Sequence, residues 1–198
     1  MIAAIVLFAG KSERMGSPKA LLRFGGWTFL GRILDAIGQS RIAETVVVVG
    51  HHRDAIQAAA PSLSIVYNPN YEQGMSTSVQ AGLRALPAGV TGAAVFLVDH
   101  PLIDSTTIDA LIEKLQPGHI VLPVHNGRRG HPVVFAADLF EEILQLSPAQ
   151  GLNTVVRRDS RRIIEAPVKA SGILVDIDTP DQFAKLLAES DNGGMVDS

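Results

Sequence analysis

The chain has 198 residues, a formal net charge of −3 at pH 7 and no cysteine. This length predicts a single domain over residues 1–189, followed by a polar, disordered tail over 190–198. The lack of cysteine excludes disulfides, thiolate metal sites and a cysteine nucleophile. The near-neutral charge argues against nucleic-acid binding, and no apolar run is long enough to span a membrane. A cytoplasmic location is the default expectation.

Apolar runs alternate with helical patterns, which predicts an α/β fold with a mostly parallel sheet and helices on both faces, in a three-layer Rossmann-like arrangement. The predicted strands are Ile2–Phe8, Thr45–Val49, Ser64–Tyr67, Ala93–Val98 and Ile120–Pro123, with short edge or antiparallel strands at Val133–Phe135, Ile163–Pro167 and Ile173–Val175. The predicted helices are Thr28–Ile37, Asp54–Ala59, Thr77–Leu86, Ser105–Leu115, Ala137–Leu146, Leu152–Arg158 and Pro180–Glu189. Ser105 and Thr179 are the expected N-caps of two of these helices.

The first predicted strand ends in a turn of small residues that carries three cations. Residues 7–19 read Leu-Phe-Ala-Gly-Lys-Ser-Glu-Arg-Met-Gly-Ser-Pro-Lys. Free N–H groups of such a turn, together with Lys11, Arg14 and Lys19, make a binding site for a polyanion. Because α/β proteins bind phosphorylated ligands at this end of a strand, we expect one here. The alternative is a solvated surface loop.

Two common phosphate-binding motifs are excluded at this turn. A P-loop needs a glycine five residues before Gly10, where the chain has Ile5. The dinucleotide fingerprint needs a glycine at position 12, where the chain has Ser12. A nicotinamide-dependent oxidoreductase is therefore disfavoured.

Acidic residues follow two further apolar segments. Asp99 ends a buried strand, and Pro101 forces an extended turn behind it. Asp176 and Asp178 are predicted to share one face of a strand end, where two carboxylates repel unless a cation lies between them. Carboxylates are the ligands that Mg²⁺ prefers when it is bound to phosphates, so these residues predict a metal site. The alternatives are turn or cap roles for Asp99 and Asp178.

Two polar loops complete the candidate site. Residues 68–78 combine Asn, Ser and Thr side chains, which can read a base or ribose, with the amides of a helix start; ordinary turn and cap chemistry is the alternative. Residues 126–133 place two arginines between glycines, and arginine forks suit the phosphate of a second substrate; a solvated hairpin tip is the alternative. His51 and His52 are adjacent, which argues against joint metal ligation.

The pattern L-x-A-G-x-S-x-R-M-G-x-x-K over residues 7–19 resembles the opening motif of the MobA-like nucleotidyltransferases, GT-A-type enzymes that include molybdenum-cofactor guanylyl- and cytidylyltransferases. The D-x-P of Asp99, the D-x-D-T-P that begins at Asp176, the N-x-x-x-x-x-G-x-S-x-S from Asn68 and the G-x-x-G-H-P-V from Gly127 also match. The resemblance therefore covers nearly the whole chain. Phe8 departs from it, since the family has a small residue there, and His100 stands where glutamine is common, as a histidine expected to be exposed.

The resemblance implies a role for each matching residue. The catalytic residues are Arg14, Lys19 and Asp99. The metal ligands for Mg²⁺, or for Mn²⁺, are Asp99 and Asp178, with Asp176 as the second choice. The nucleotide-binding residues are Leu7, Ala9, Gly10, Ser12, Lys19, Asn68, Gly74, Ser76 and Ser78. The residues on the acceptor side are Arg128, Gly130 and His131.

The implied reaction transfers CMP from CTP to a molybdopterin-type molybdenum cofactor and releases pyrophosphate. Ala9 and the Gly130-His131-Pro132 segment resemble the cytidylyl branch more than the guanylyl branch. Transfer of another nucleotide, or transfer to another phosphorylated acceptor, stays open. So does a non-catalytic maturation factor that delivers the cofactor to a molybdenum hydroxylase.

Overall fold

The computed structural model describes residues 1–191, with the side chains of residues 1–189. The strands are β1 Ile2–Phe8, β2 Arg23–Phe24, β3 Trp27–Thr28, β4 Glu44–Val49, β5 Ile65–Tyr67, β6 Gly92–Leu97, β7 Ile120–His125, β8 Arg128–Arg129, β9 Val133–Ala136 and β10 Ile163–Pro167. The α-helices are α1 Phe29–Gly38, α2 Arg53–Ala59, α3 Met75–Arg84, α4 Ser105–Lys114, α5 Phe140–Leu144, α6 Asn153–Arg158 and α7 Pro180–Asp191.

One large sheet has the strand order β10-β7-β9-β6-β1-β4-β5, with β8 paired to β7. The central strand β1 is parallel to β4 and β6, and β5 and β10 also pair in parallel with their neighbours. Only β8 and β9 run antiparallel in the described sheet. The carboxyl ends of β1, β4, β5 and β6 therefore meet at one edge, and the loops that follow them form one surface.

Both faces of the sheet are buried, because alternate side chains of β1 point to opposite sides. Ala4 and Val6 pack with Ile33 of α1 and with α4 on one face. Ile5 packs with α3, α5 and α6 on the other face. Burial of these two apolar layers is the main driving force for the fold. The three-layer Rossmann-like prediction is confirmed.

A third, smaller apolar cluster holds helix α7 against helix α1. Phe24, Phe29, Ile177 and Leu186 are buried together, and the rings of Phe29 and Phe183 meet edge to face at 5.7 Å between centroids. This packing fixes the segment that precedes α7, which carries the last acidic motif.

Three local predictions are wrong. Residues 173–175 do not form a strand; a 3-10 helix covers Ser171–Leu174, and the carbonyl of Ile173 accepts from the amide of His131 instead. Asp104, not Ser105, is the N-cap of α4, since its carboxylate accepts from the amide of Thr107 at 2.6 Å. The predicted helix over 137–146 is a 3-10 turn followed by the short α5.

The remaining boundaries agree within about two residues, which is the usual uncertainty of helix ends. Thr179 does cap α7, because its hydroxyl accepts from the amide of Gln182. Of the predicted tail, residues 190 and 191 continue α7 and residues 192–198 lie outside the described part of the chain.

Gly82 lets α3 approach the sheet closely. A Cβ at this position would lie 2.5 Å from Cγ2 of Ile5 and 3.2 Å from Cγ2 of Val48. We expect Gly82→Val to lower the free energy of unfolding by about 2 kcal/mol, because both neighbours are fully buried β-branched side chains that cannot move aside. Urea unfolding measures this change. Ala85→Val, at the exposed end of the same helix, is the control and should cost less than about 1 kcal/mol; equal losses in the two variants would contradict the packing argument.

Candidate active site

The first loop, residues 9–19, leaves β1 with a sharp change of backbone direction. Ser12 has φ of 53°, in the left-handed region, and a 3-10 turn over Glu13–Met15 follows. The amides of Met15 and Gly16 bond within this turn. Within the described residues, the amides of residues 11–14 make no hydrogen bond. A left-handed residue next to a right-handed turn is the backbone arrangement that forms anion-binding concavities, so this loop can receive an anion.

The cations of the first loop meet the last acidic motif. Lys19 Nζ lies 2.5 Å from one oxygen of Asp178, and Arg14 Nη2 lies 3.1 Å from the other. The hydrogen bond from Lys19 is the main reason that the pKa of Asp178 lies below its usual range, and Arg14 lowers it further. The Lys19 side chain is only 10% exposed. Residues that are 159 positions apart thus form one charged cluster.

Asp99 lies beside this cluster. Its carbonyl accepts from the amide of Ile177 at 2.8 Å, which joins the end of β6 to the segment that carries Asp178. Its carboxylate oxygen Oδ1 is buried and has no hydrogen-bond partner in the described part of the chain. Asp176, the second candidate of the last motif, is exposed. Asp99 and Asp178 are therefore the carboxylates that the fold brings to adjacent segments.

These two residues suit a divalent cation of the magnesium type. The described residues contain no group of three His, Cys, Asp or Glu side chains placed to hold a metal. Mg²⁺ commonly binds through one or two carboxylates and completes its shell with substrate phosphates and water. Within the described residues, Oδ1 of Asp99 accepts no hydrogen bond and has His100 Nε2 at 3.8 Å, so it fits this mode, in which a phosphorylated ligand completes the shell of the cation.

His100 and His131 form a pair next to Asp99. Their ring centroids are 4.6 Å apart with a 33° angle between planes, and Nδ1 of each ring is buried without a hydrogen-bond partner among the described residues. Burial, and to a smaller extent the charge of His100, lowers the pKa of His131 from 6.5 to about 4. His100 was expected to be exposed, and this is wrong, since only 11% of its side chain is accessible.

The hairpin between β7 and β8 presents Arg128. Asn126 and Gly127 both have positive φ, as in the tightest hairpin turns. Arg129 is paired with Glu165 at 2.8 Å, whereas the exposed Arg128 side chain has no partner in the described residues. Gly130 follows and packs so closely on the carbonyl of Ile173 that any Cβ would collide with it. Arg128 is thus the arginine left available to an anion.

Residues 68–78 form the loop that was predicted to bind a base or ribose, and several of its polar side chains make hydrogen bonds within the protein. Asn68 is 3% exposed, and its Nδ2 donates to Thr77 Oγ1 and Ser78 Oγ, both at 2.9 Å. Ser76 is fully buried and donates to the carbonyl of Pro148, which also lies against Gly74. These side chains connect β5 to α3.

The predicted nucleotide-binding residues of the first segment include buried residues and residues at the loop surface. Leu7 packs in the core, and buried Ala9 uses its carbonyl to accept from the amide of His51 at 3.3 Å. Gly10 and Ser12 are at the loop surface with Lys19 behind them. Phe8 is 3% exposed and belongs to the core.

Sequence reasoning missed three contributors to the site. Gln182 accepts from the amides of Asp178 and Thr179 at 2.8 and 2.9 Å, which fixes the backbone of the metal-ligand candidate. The spacing T-x-x-Q from Thr179 is a capping-box signature and could have revealed it. Glu72 pairs with Lys11 at 2.7 Å, and His52 bonds to the carbonyl of Lys11; no sequence signal indicates either contact.

A mostly parallel α/β sheet with a cationic, glycine-containing loop at its carboxyl edge is typical of Rossmann-like proteins that bind phosphorylated ligands. Residues 4–163 match the model of the MobA-like NTP transferase domain. The chain belongs to this family. The match ends before Asp178, so the place of that residue in the site rests on its contacts.

Two curated relatives align along nearly the full length of both chains. A molybdenum cofactor cytidylyltransferase of Escherichia coli K12 is 31% identical over 92% of this chain and 93% of its own. A nicotine blue oxidoreductase of Paenarthrobacter nicotinovorans is 29% identical over 94% and 96%. The two relatives are thus named for different reactions.

Solved structures agree with the fold. A protein of Mycobacterium tuberculosis H37Rv superposes with a TM-score of 0.85 at 28% identity, over 94% of this chain and 97% of that one. A crystal structure of the same Mycobacterium tuberculosis protein in complex with manganese gives a TM-score of 0.80 at 26% identity, over 94% of this chain and 98% of that one. Among the described helices of the present chain, none has the length and hydropathy needed to cross a membrane.

The pKa of His131 predicts a pH-dependent stability. The unfolded chain takes up a proton on this histidine near its ordinary pKa, and the folded protein does so only near pH 4. Stability is therefore lost as the pH falls from about 6.5 to about 4. We expect the wild type to lose about 2 kcal/mol more than His131→Gln between about pH 7 and pH 5 in urea unfolding. His119→Gln, far from the site, should follow the wild type, and parallel curves for wild type and His131→Gln would contradict the buried, neutral state of His131.

Proposed function

We propose that the protein is a divalent-metal-dependent nucleotidyltransferase that moves CMP from CTP to the phosphate of a molybdopterin-type molybdenum cofactor and releases pyrophosphate. The observation that carries the proposal is the convergence of the first loop and the acidic segments. Unbonded amides at residues 11–14, the cations Arg14 and Lys19, and the carboxylates of Asp99 and Asp178 all belong to one surface. Such a surface suits a triphosphate with a bound cation.

Asp99 and Asp178 would hold the cation, Mg²⁺ or Mn²⁺. When bound, the ion supplies neutralisation of the negative charge on the phosphates. The unpartnered oxygen of Asp99 supports this role, and so does the manganese complex of the Mycobacterium tuberculosis relative.

In the proposed reaction, the residues of the chain bind the phosphates and neutralise their charge; they do not act as nucleophiles. A phosphate oxygen of the acceptor forms a bond to the α-phosphorus of the nucleotide, and the bond from that phosphorus to the bridging oxygen of the β-phosphate breaks, so that pyrophosphate leaves. Displacements of this kind depend on positioning and charge stabilisation more than on a protein nucleophile. Arg14 and Lys19 would stabilise the charge that develops on the α-phosphate and on the leaving group.

The residues proposed to bind the acceptor are Arg128, Gly130 and His131. The guanidinium of Arg128, which has no partner among the described residues, suits the acceptor's phosphate. His131 stays neutral at physiological pH, because its pKa is lowered to about 4, so it can offer hydrogen bonds without adding charge.

The choice of CTP and of the molybdenum cofactor is supported by the Escherichia coli relative. A molybdenum hydroxylase as recipient of the product, and a location in the cytoplasm, where nucleoside triphosphates are made, belong to the same proposal.

A second candidate comes from the other curated relative, which is named an oxidoreductase. The first loop lacks the glycine at position 12 that a dinucleotide fingerprint needs, and this favours transfer over nicotinamide chemistry. Transfer of GMP, transfer to another acceptor, and a non-catalytic delivery role are the remaining alternatives, and the assay below separates the first of them from the other two.

The test is pyrophosphate release from CTP, GTP, ATP and UTP, each with Mg²⁺ and molybdenum cofactor, and each with a control that lacks the acceptor. We expect acceptor-dependent release with CTP, because the cytidylyl-type segments are present. Release with GTP instead would assign the guanylyl reaction. Silence with all four, while nucleotide binds in a titration, would favour another acceptor or a delivery role. Oxidation of added NADH or NADPH with nicotine blue would establish the oxidoreductase alternative.

Asp99→Asn should separate activity from stability. We expect turnover to fall by about 100-fold or more, because the neutral amide is a poor ligand for the cation. The melting temperature should stay the same or rise, since Oδ1 makes no hydrogen bond with any residue that the structure describes. Asp104→Asn is the matched control: asparagine caps a helix as well as aspartate does, so both activity and stability should persist. Normal turnover in Asp99→Asn would remove this residue from the mechanism.

A further inference from the structure

The turn after β4 packs directly against the first loop. Gly50 approaches so closely that any Cβ would meet the carbonyl of Ala9 and the ring of Tyr71. The amide of His51 donates to the same carbonyl at 3.3 Å. This contact brings the next residue, His52, alongside the part of the loop whose amides are unbonded.

His52 makes one hydrogen bond to that part. Its Nε2 lies 2.8 Å from the carbonyl oxygen of Lys11. A carbonyl can only accept, so the ring donates through Nε2–H. The half-buried ring also lines a small cavity behind the loop, together with Ser12, Lys19 and Ile56. The contact therefore ties the loop to the start of α2.

Because the peptide bond is planar, the hydrogen bond from His52 to the carbonyl of Lys11 also fixes the direction of the next amide. The carbonyl of Lys11 and the amide of Ser12 belong to one planar, trans peptide unit, in which C=O and N–H point in opposite directions. When His52 holds the carbonyl, the amide of Ser12 must point away from His52. That amide is one of those without a partner among the described residues.

We propose that His52 is a positioning residue, which orients the amides of the first loop for an anion through its bond to the carbonyl of Lys11. The left-handed φ of Ser12 is unfavourable for a residue other than glycine and persists only where its surroundings hold it. The bond from His52 supplies one constraint. The other is the hydroxyl of Ser12, which accepts from the amide of Lys19 at 3.2 Å. The inference rests on the proposed function only for naming the ligand as a triphosphate.

The test compares two substitutions of His52. Glutamine places an amide donor near the position of Nε2, whereas leucine keeps volume and removes the donor. We expect His52→Leu to weaken binding of inorganic tripolyphosphate, and of CTP, by about tenfold in calorimetric titration. His52→Gln should stay within about threefold of the wild type. In turnover assays the leucine variant should raise KM more than it lowers kcat, because the reacting groups are unchanged.

His119→Leu is the control. The ring of His119 also bonds to a backbone carbonyl, that of Pro117 at 2.7 Å, but before β7, away from the first loop. Its affinity for tripolyphosphate should equal that of the wild type. Melting temperatures of all variants show whether a loss of affinity merely reflects unfolding.

The outcomes separate this inference from the proposed function. Equal affinities of wild type and His52→Leu would overturn the inference, as would a glutamine variant as weak as the leucine variant. No binding of tripolyphosphate by the wild type would overturn it as well. If the expected pattern appears while no nucleotide yields pyrophosphate, the proposed transfer reaction is wrong and the positioning role of His52 stands.

Discussion

The ion pairs of Asp178 with Lys19 and Arg14 are the interaction on which the candidate site depends. Lys19 is nearly buried, and a buried ammonium group without a counter-charge is strongly unfavourable. Its partner comes from the far end of the chain, so the first loop can take its shape only when the C-terminal segment is in place. The apolar cluster around Phe29 and Ile177 holds that segment, and Gln182 fixes its backbone. Core packing and site assembly are therefore coupled.

This arrangement also sets the electrostatics of the site. The two cations that suit a polyanion share the single negative charge of Asp178, and Lys11 is paired with Glu72. The amides of residues 11–14 have no such partners among the described residues, so they are the donors that an anion meets without displacing anything. In the proposed reaction, a triphosphate that takes over Lys19 also frees a carboxylate oxygen of Asp178. The backbone provides the first contact, and the charged side chains respond to it.

Much of the fold could be predicted because a buried parallel strand is a continuous apolar run, as in Ile2–Phe8. Prediction failed where a tertiary contact outweighed the local pattern. The apolar residues 173–175 have the composition of a strand, but the Ile173 carbonyl is taken by the amide of His131, and Gly172 packs against Leu102. At the start of α4, Asp104 and Ser105 are equally good caps by residue type. Only the backbone geometry selects Asp104.

At the candidate site, too, residue types alone do not reveal which tertiary contacts are made. Residue types and strand ends correctly indicated that Lys19 and Asp99 belong to loops at one edge of the sheet, but residue type does not tell which polar group is already satisfied. Asn68 and Ser78 bond to each other and are buried, whereas Oδ1 of Asp99 accepts no hydrogen bond from the part of the chain that the structure describes. His52 lies beyond prediction for a related reason: it acts on a peptide group, and the orientation of a peptide plane leaves no trace in the residue types around it. In this chain the residues most open to a ligand are those whose hydrogen bonds the fold leaves unmade, and they are recognised only once every other bond has been assigned.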